Sequence, residues 1–133
     1  MAGTKYVELK VVCKELFDKK LEKSLVDRAT AIAKNQIDNK SGGALTTKTK
    51  SKEGFIVTLD LTIKADDKAA PTKLDGKLAI TAISIGGTAK AFTGSSNGKV
   101  DGFGKKPENG ANDLVDALVE DLMVKAVKTL KGL

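Results

Sequence analysis

The sequence predicts a two-layer α+β domain, in which a mostly antiparallel sheet of about four strands carries two amphipathic helices on one face. Three observations lead to this fold class. Residues 5–16 and 55–65 alternate apolar and polar side chains, which is the period of half-buried strands. Residues 18–39 and 112–133 carry apolar residues at helical spacing instead. The elements follow the order β-α-β-β-β-α, and a chain of 133 residues is most simply a single domain, 1–133.

The first strand and the first helix follow from residues 5–39. The inward face of the strand is expected to consist of Val7, Leu9, Val11 and Cys13. Asp18 is the expected N-cap of a helix that runs to about Asn39 and ends at 41–43. The buried stripe of this helix consists of Leu21, Leu25, Ala29, Ile32, Ala33 and Ile37.

The middle of the chain predicts further strands. Residues 44–54 are polar and rich in Thr and Lys, so they form either a mobile connection or an edge strand protected by lysines. The strongest strand pattern lies in residues 55–65. Its inward-facing residues are Phe55, Val57, Leu59, Leu61 and Ile63. In the next strand, 73–85, the inward-facing residues are Leu74, Leu78 and Ile80 in the first part and Ile83 and Ile85 in the second part. This phase shift predicts a bulge near Ala82 or a strand that is covered on both faces. A short last strand is expected in 88–94.

The second face of the predicted sheet should be solvated. Its polar residues on the two best-defined strands are Glu8, Lys10, Lys14, Thr58, Asp60, Thr62 and Lys64, with Val12 as the apolar exception.

The last helix has two adjacent apolar rows. The first row is Leu114, Leu118, Leu122, Ala126 and Leu130, and the second is Val115, Val119, Met123 and Val127. Acidic residues gather at its start and lysines at its end, which suits the helix macrodipole, and Asn112 is the expected N-cap. The helix is therefore either well buried or offers its second row to a partner. The candidate partner contacts are Val115, Val119, Met123, Val127 and Phe103.

The glycine-rich stretch 90–110 fits turns better than a phosphate-binding loop. Gly94 and Gly98 are one residue too close for that loop, and Lys99 is followed by Val100 where Ser or Thr is needed. Asn97-Gly98 predicts a hairpin tip, and Asn109-Gly110 predicts a second turn before the last helix.

Most catalytic chemistry is excluded by residue type. There is no histidine, and Cys13 is the single cysteine, so His-dependent nucleophiles, disulfides within the chain and zinc sites are not expected. Asp66 and Asp67 lack the spacing of a calcium loop and are better explained by a solvated turn. An enzyme would have to use a lysine of low pKa or a carboxylate pair such as Asp60 with Asp75. We expect no enzyme activity, no metal and no cofactor.

The charge of the chain permits a second function class. The formal net charge is +6, but only Arg28 among 23 basic residues is arginine, and only five residues are aromatic. The chain therefore has few guanidinium groups that could bind phosphates in a bidentate manner and few aromatic side chains on which bases could stack. A polyanion site would need two loops to converge, and its candidate residues are Lys48, Lys50, Lys52, Lys99, Lys105 and Lys106.

The sequence thus favours a non-catalytic protein-interaction or assembly module, with a protein partner or self-association. Its expected contacts are the sheet edges, the Lys/Gly-rich loops and the C-terminal helix. Electrostatic binding of nucleic acid or another polyanion is the alternative. No apolar run is long enough for a membrane span. The start of the chain lacks a signal-peptide core, so a cytoplasmic protein is expected, with a mature exported form left open.

Overall fold

The computed structural model describes residues 4–48, 50–67, 69–87, 89–102 and 106–132, and it confirms the α+β class. The elements are β1 (Lys5–Lys14), α1 (Glu22–Lys40), β2 (Leu45–Thr46), β3 (Gly54–Ala65), β4 (Lys73–Ser84), β5 (Lys90–Asp101) and α2 (Pro107–Lys131). A short 3-10 turn, Lys19–Leu21, precedes α1, and the Asp18 carboxylate accepts a hydrogen bond from the Lys20 amide in this turn.

The sheet is mixed, with the strand order β2-β1-β3-β4-β5. Of the pairings between described strands, β1 is parallel to both β2 and β3, whereas β3-β4 and β4-β5 are antiparallel. The prediction of a mostly antiparallel sheet of about four strands is broadly consistent with this sheet but differs in detail, since there are five strands and both pairings of β1 are parallel. The reason is that α1 is a crossover connection, which returns the chain to the end where β1 began. Residues 45–46, left open between a connection and an edge strand, form the two-residue edge strand β2.

Both helices pack on one face of the sheet, as expected. α1 contacts β1, and α2 contacts β4, β5 and α1. The five inward residues predicted for β3 are all buried, and so are Leu74, Leu78 and Ile80 of β4. On the opposite face the polar residues of β1 and β3 are half-buried or exposed, and Val12 is 39% exposed. The two-layer arrangement with one solvated face is therefore confirmed.

The glycine-rich stretch is the main correction. Asn97-Gly98 was expected at a hairpin tip, but it lies inside β5, which is 12 residues long rather than a short strand over 88–94. Gly98 is paired with Gly76 of β4, and a Cβ at Gly98 would lie 3.2 Å from a methyl of Leu114. Gly98 thus allows α2 to pack closely on the sheet, and this tertiary contact overrides the local turn preference of Asn-Gly.

The start of α2 is a second correction. The helix begins at Pro107 and not after Asn112, so Asn109-Gly110 belongs to its first turns. Proline suits this position because the first helical amides have no partner within the helix. Gly110 and Ala111 are both buried.

The predicted irregularity near Ala82 is present, but it lies between β4 and β5. Ala82 pairs with Phe92 and Ile83 with Lys90, so the additional residue is Ala91 of β5. β4 stays in phase with β3: Ala82 is buried under the helices, and Ile83 lies opposite Ile56 on the other face. The expectation that Ile83 faces inward was wrong. The bulge changes the direction of the side chains in β5 and does not interrupt the alternation of β4.

Candidate functional site

The most distinctive surface feature is the outer edge of β5. This strand is last in the sheet order and pairs with β4 alone among the described strands. Eight consecutive residues, Ala91–Gly98, carry no charge, and the charged residues Lys90, Lys99 and Asp101 stand at its ends. Natural edge strands are usually short, or are protected by central charges, proline or β-bulges. The register shift of β5 lies at its start, at Ala91, and leaves residues 92–101 in regular register with β4. A long, centrally uncharged edge is therefore open to pairing with a further strand.

A groove of about 470 Å³ runs beside this edge, between β5 and α2. Its floor includes Ser96, Gly98 and Val100 of β5, and its wall includes Ala117 and Asp121 of α2. Leu114 and Leu118 pack over both Gly76 and Gly98, whereas Leu122 packs over Gly94. The axis of α2 therefore lies above the paired strands β4 and β5, and one exposed side of the helix overlooks the sheet edge.

The opposite edge of the sheet is only partly covered. β2 pairs with Lys5 and Tyr6 of β1, and no described strand pairs with the rest of that side of β1. β2 is held in place by the end of α1: the buried Ser41 hydroxyl donates to the Ile37 carbonyl (2.6 Å) and accepts from the Leu45 amide (3.1 Å). This edge carries Glu8, Lys10 and Lys14, so it is charged where β5 is not.

A second groove, of about 620 Å³, lies at the carboxyl ends of the parallel strands β1 and β3, a position at which α/β sheets often bind ligands. Cys13 lines it, and burial, with the nearby negative charge of Glu22 as a second cause, raises the pKa of Cys13 to about 11. The thiol is therefore protonated at neutral pH and is a poor nucleophile.

The polar groups of this second groove form no catalytic constellation. Glu15 has a left-handed backbone (φ 51°), and its carboxylate lies 3.2 Å from the Lys64 ammonium in an ion pair that is mostly exposed. Exposed pairs of this kind contribute little energy. Among the residues that the structure describes, no cluster of three His, Cys, Asp or Glu side chains could hold a metal ion.

The proposed carboxylate pair is not formed. Asp60 lies 3.4 Å from the Lys14 ammonium, and Asp75 lies 4.0 Å from that of Lys99. Asp75 is level with Lys64 on the neighbouring strand, four residues along β3 from Asp60, which corresponds to roughly 13 Å. The two carboxylates therefore cannot share a proton or a substrate atom.

Asp66 belongs to the turn between β3 and β4. Its carboxylate accepts hydrogen bonds from the hydroxyl of Thr72 and from the amides of Thr72 (2.9 Å) and Lys73 (3.0 Å). These bonds, the Thr72 hydroxyl first among them, hold the pKa of Asp66 well below its usual range. The side chain thus closes the turn.

The candidate polyanion lysines are not brought together. Lys48, Lys50 and Lys52 precede β3, at the end of the sheet where Tyr6 pairs with Gly54. Lys99 is level with Lys64, ten residues along β3 from that end, which corresponds to roughly 33 Å. Lys106 precedes α2 at the Lys99 end, and Lys105 lies outside the described residues. The single arginine, Arg28, is engaged in a bidentate pair with Asp116, with N···O distances of 2.6 and 2.7 Å.

The second apolar row of α2 lies inside the protein. Val115, Val119, Met123 and Val127 are between 0% and 3% exposed. Of the two alternatives for this helix, the structure shows the first, because the row fills the core and offers no surface to a partner. Phe103, the fifth candidate contact, lies outside the described residues. No described helix combines the length and the apolar character needed to cross a lipid bilayer.

Sequence reasoning missed the edge of β5. The available signal was the run of eight uncharged residues, 91–98, which is weak beside the turn preference of Asn97-Gly98.

Comparison with known proteins identifies the fold. No family model and no curated protein sequence matches the chain. A variant of PelC from Paraburkholderia phytofirmans, solved as a dodecamer, has a TM-score of 0.60 at 8% identity, over 92% of this chain and 86% of that one. A hypothetical protein from Chlamydia trachomatis has a TM-score of 0.59 at 8% identity, over 96% and 98% of the two chains.

A minor lipoprotein from Acinetobacter baumannii is also similar, with a TM-score of 0.55 at 10% identity, over 99% of this chain and 94% of that one. None of these three proteins is named as an enzyme. At such low identity the similarity shows a shared fold and nothing further.

Proposed function

We propose that this chain is a single-domain, non-catalytic assembly module that associates through the edges of its sheet. The observation that carries the proposal is the outer edge of β5, with its eight uncharged residues 91–98 and its unpaired outer side among the described strands. An added strand would pair its main-chain amides and carbonyls with those of β5, which is a general mode of protein recognition.

Four further observations support an assembly role over catalysis. The Cys13 thiol is protonated at neutral pH, and the strand register places Asp60 and Asp75 roughly 13 Å apart. The two apolar rows of α2 are used in the core and offer no surface to a partner, so the sheet edge remains as the candidate surface. In addition, a protein of this fold, PelC, was solved as a dodecamer, and this supports the proposal of self-association.

The polyanion-binding alternative has less support. The candidate lysines that the structure describes lie at opposite ends of the sheet, and the single arginine is already paired with Asp116. We therefore do not propose it.

The test is the molar mass of the protein in solution, measured by size-exclusion chromatography with light scattering over a concentration series. The wild-type chain is expected to form species larger than one chain. The double variant Thr93→Lys/Ser95→Lys, which adds two lysines to β5, is expected to remain monomeric, because charged side chains protect sheet edges.

The matched control is Ala31→Lys/Asn35→Lys, which adds the same charge to exposed positions of α1 and should associate like wild type. A wild-type chain that stays monomeric at every concentration would contradict the proposal. Equal loss of association in both double variants would contradict the assignment to β5, since it would indicate a general effect of charge.

A further inference from the structure

We infer that the partner at the β5 edge is a second copy of this chain, related by a two-fold axis that passes through Ser96. This inference rests on the proposed function and goes beyond it by naming the partner and the register. The axis stands perpendicular to the sheet, so the two β5 strands run antiparallel and the two sheets continue into one. Four independent features of the strand and the helix fit this geometry.

The first feature is the pattern of side chains along β5. With Ser96 opposite the partner's Ser96, Phe92 lies opposite the partner's Val100 on the helix side, and Gly94 lies opposite the partner's Gly98. An aromatic residue opposite a β-branched one is a favourable cross-strand pair, and here it occurs twice by symmetry. Moving the axis to Gly94 or Gly98 shortens the overlap and removes this pair.

The second feature is charge. In the same register, Lys99 lies opposite the partner's Thr93, so no like charges face each other. Asp101 lies opposite the bulge of the partner strand, where two residues face one. The bulge brings the partner's Lys90 within reach of Asp101, on the sheet face that both side chains share. Both ends of the paired strands are therefore closed by opposite charges.

The third feature is the position of α2. Because Leu114 and Leu118 pack over both Gly76 and Gly98, the helix axis lies above the β4-β5 pair. With strands about 4.8 Å apart, the two copies of α2 would lie roughly 10 Å apart, which is a normal distance for packed helices. The helices would therefore meet above the joined strands.

The fourth feature is the exposed side of α2 that overlooks the edge. Asp113, Ala117, Asp121, Val124 and Lys128 share this side, and Val124 is 52% exposed. Ser96 is level with the middle of the helix, since Leu118 packs on Gly98 and Leu122 on Gly94. The two-fold axis then places Ala117 beside the partner's Val124 and Asp113 beside the partner's Lys128. The acidic start and basic end of α2 thus become complementary between antiparallel helices. Asp121 lies beside its own copy at the axis, and the Lys125 ammonium, 3.9 Å from it on the same helix, offsets this like charge.

The register is tested by disulfide cross-linking in a Cys13→Ser background. Ser96→Cys is expected to form an interchain disulfide on mild oxidation, because the two-fold axis brings this position within disulfide range of its own copy. Thr93→Cys is the control on the same strand. It is three residues from the axis, so its two copies lie roughly 20 Å apart and should not link.

The helix contact is tested independently by charge exchange at exposed positions, where folding is little affected. Asp113→Lys or Lys128→Asp alone should raise the dimer dissociation constant by roughly 3- to 30-fold, since each change affects two symmetry-related pairs. The double variant Asp113→Lys/Lys128→Asp should return the constant to within about twofold of wild type, because the ion pairs are restored in the opposite sense.

The outcomes separate this inference from the proposed function. Efficient Ser96→Cys linkage without Thr93→Cys linkage, together with rescue by charge exchange, supports the two-fold dimer. Association that persists while Ser96→Cys stays unlinked, or while Thr93→Cys links equally well, overturns the register and leaves edge assembly intact. A chain that is monomeric throughout overturns both.

Discussion

Gly76 and Gly98 lie directly opposite each other on β4 and β5, and the methyl groups of Leu114 and Leu118 occupy the space above both of them. A Cβ at Gly76 would lie 3.0 Å from a Leu118 methyl, and a Cβ at Gly98 would lie 3.2 Å from a Leu114 methyl. The close packing of α2 on the outer strands therefore depends on the absence of side chains at these two positions.

Replacing Gly98 with valine should lower the free energy of unfolding by about 1–3 kcal/mol, because the added side chain would overpack the contact with Leu114. Urea denaturation at low protein concentration measures this effect apart from association. Asn97→Val is the matched control on the exposed face of the same strand, and it should be neutral or slightly stabilising. Equal destabilisation by both changes would argue against the assigned packing.

The buried hydroxyl of Ser41, which is 3% exposed, connects the end of α1 to β2. Ser41→Ala would leave the Leu45 amide without its partner and should lower the free energy of unfolding by about 1–3 kcal/mol. Ser24→Ala, at an exposed position of α1, serves as the control and should change stability by less than about 0.5 kcal/mol. Thermal and urea denaturation of both variants measure the difference, and a stable Ser41→Ala protein would contradict the role of this bond.

Asp66 makes stability depend on pH. Its pKa is lower in the folded protein than the value of about 3.9 expected in the unfolded chain. Its contribution is therefore present above that unfolded value and is lost as the pH falls through the folded pKa. Asp66→Asn should lower the melting temperature at pH 7, and its difference from wild type should shrink below about pH 4.

The control for this pH series is Asp27→Asn, which removes a negative charge from the exposed side of α1. Melting temperatures of the three proteins between neutral and acidic pH give the comparison. A constant difference between Asp66→Asn and wild type across the series would contradict the hydrogen-bonded carboxylate.

Cys13 should react slowly with thiol reagents. With a pKa of about 11, the fraction of thiolate at pH 7 is on the order of one part in ten thousand. The rate of alkylation by iodoacetamide should rise steadily with pH up to that range. A rate that levels off near pH 8 would show an activated thiol and would reopen the question of catalysis.

The predictable part of the fold rests on periodicity within single elements. The alternation in β3 and the two apolar rows of α2 each report burial, and the structure buries Val57, Leu61, Val115 and Met123 accordingly. Such patterns are local, so the sequence alone shows which residues face the core.

The remaining features depend on contacts between distant residues. Asn97-Gly98 has the local preference of a turn, and only the packing of Leu114 on Gly98 explains why it lies in a strand. Likewise, the antiparallel pairings of β3 with β4 and of β4 with β5 place Lys99 level with Lys64, which separates Lys52 from Lys99 by the length of the sheet. The alternation of side chains does not reveal which strands are neighbours in the sheet. For this reason the sequence allowed a converging lysine site and did not indicate that β5 is an edge strand.

Hydrogen exchange of the β5 amides at different protein concentrations tests the assembly account most directly. If the β5 edge binds a further strand, amides of residues 92–100 should become more protected as the concentration rises, while those of the central strand β3 should not change. Protection of 92–100 that is independent of concentration, in a sample that light scattering shows to be associated, would place the interface elsewhere and contradict the account.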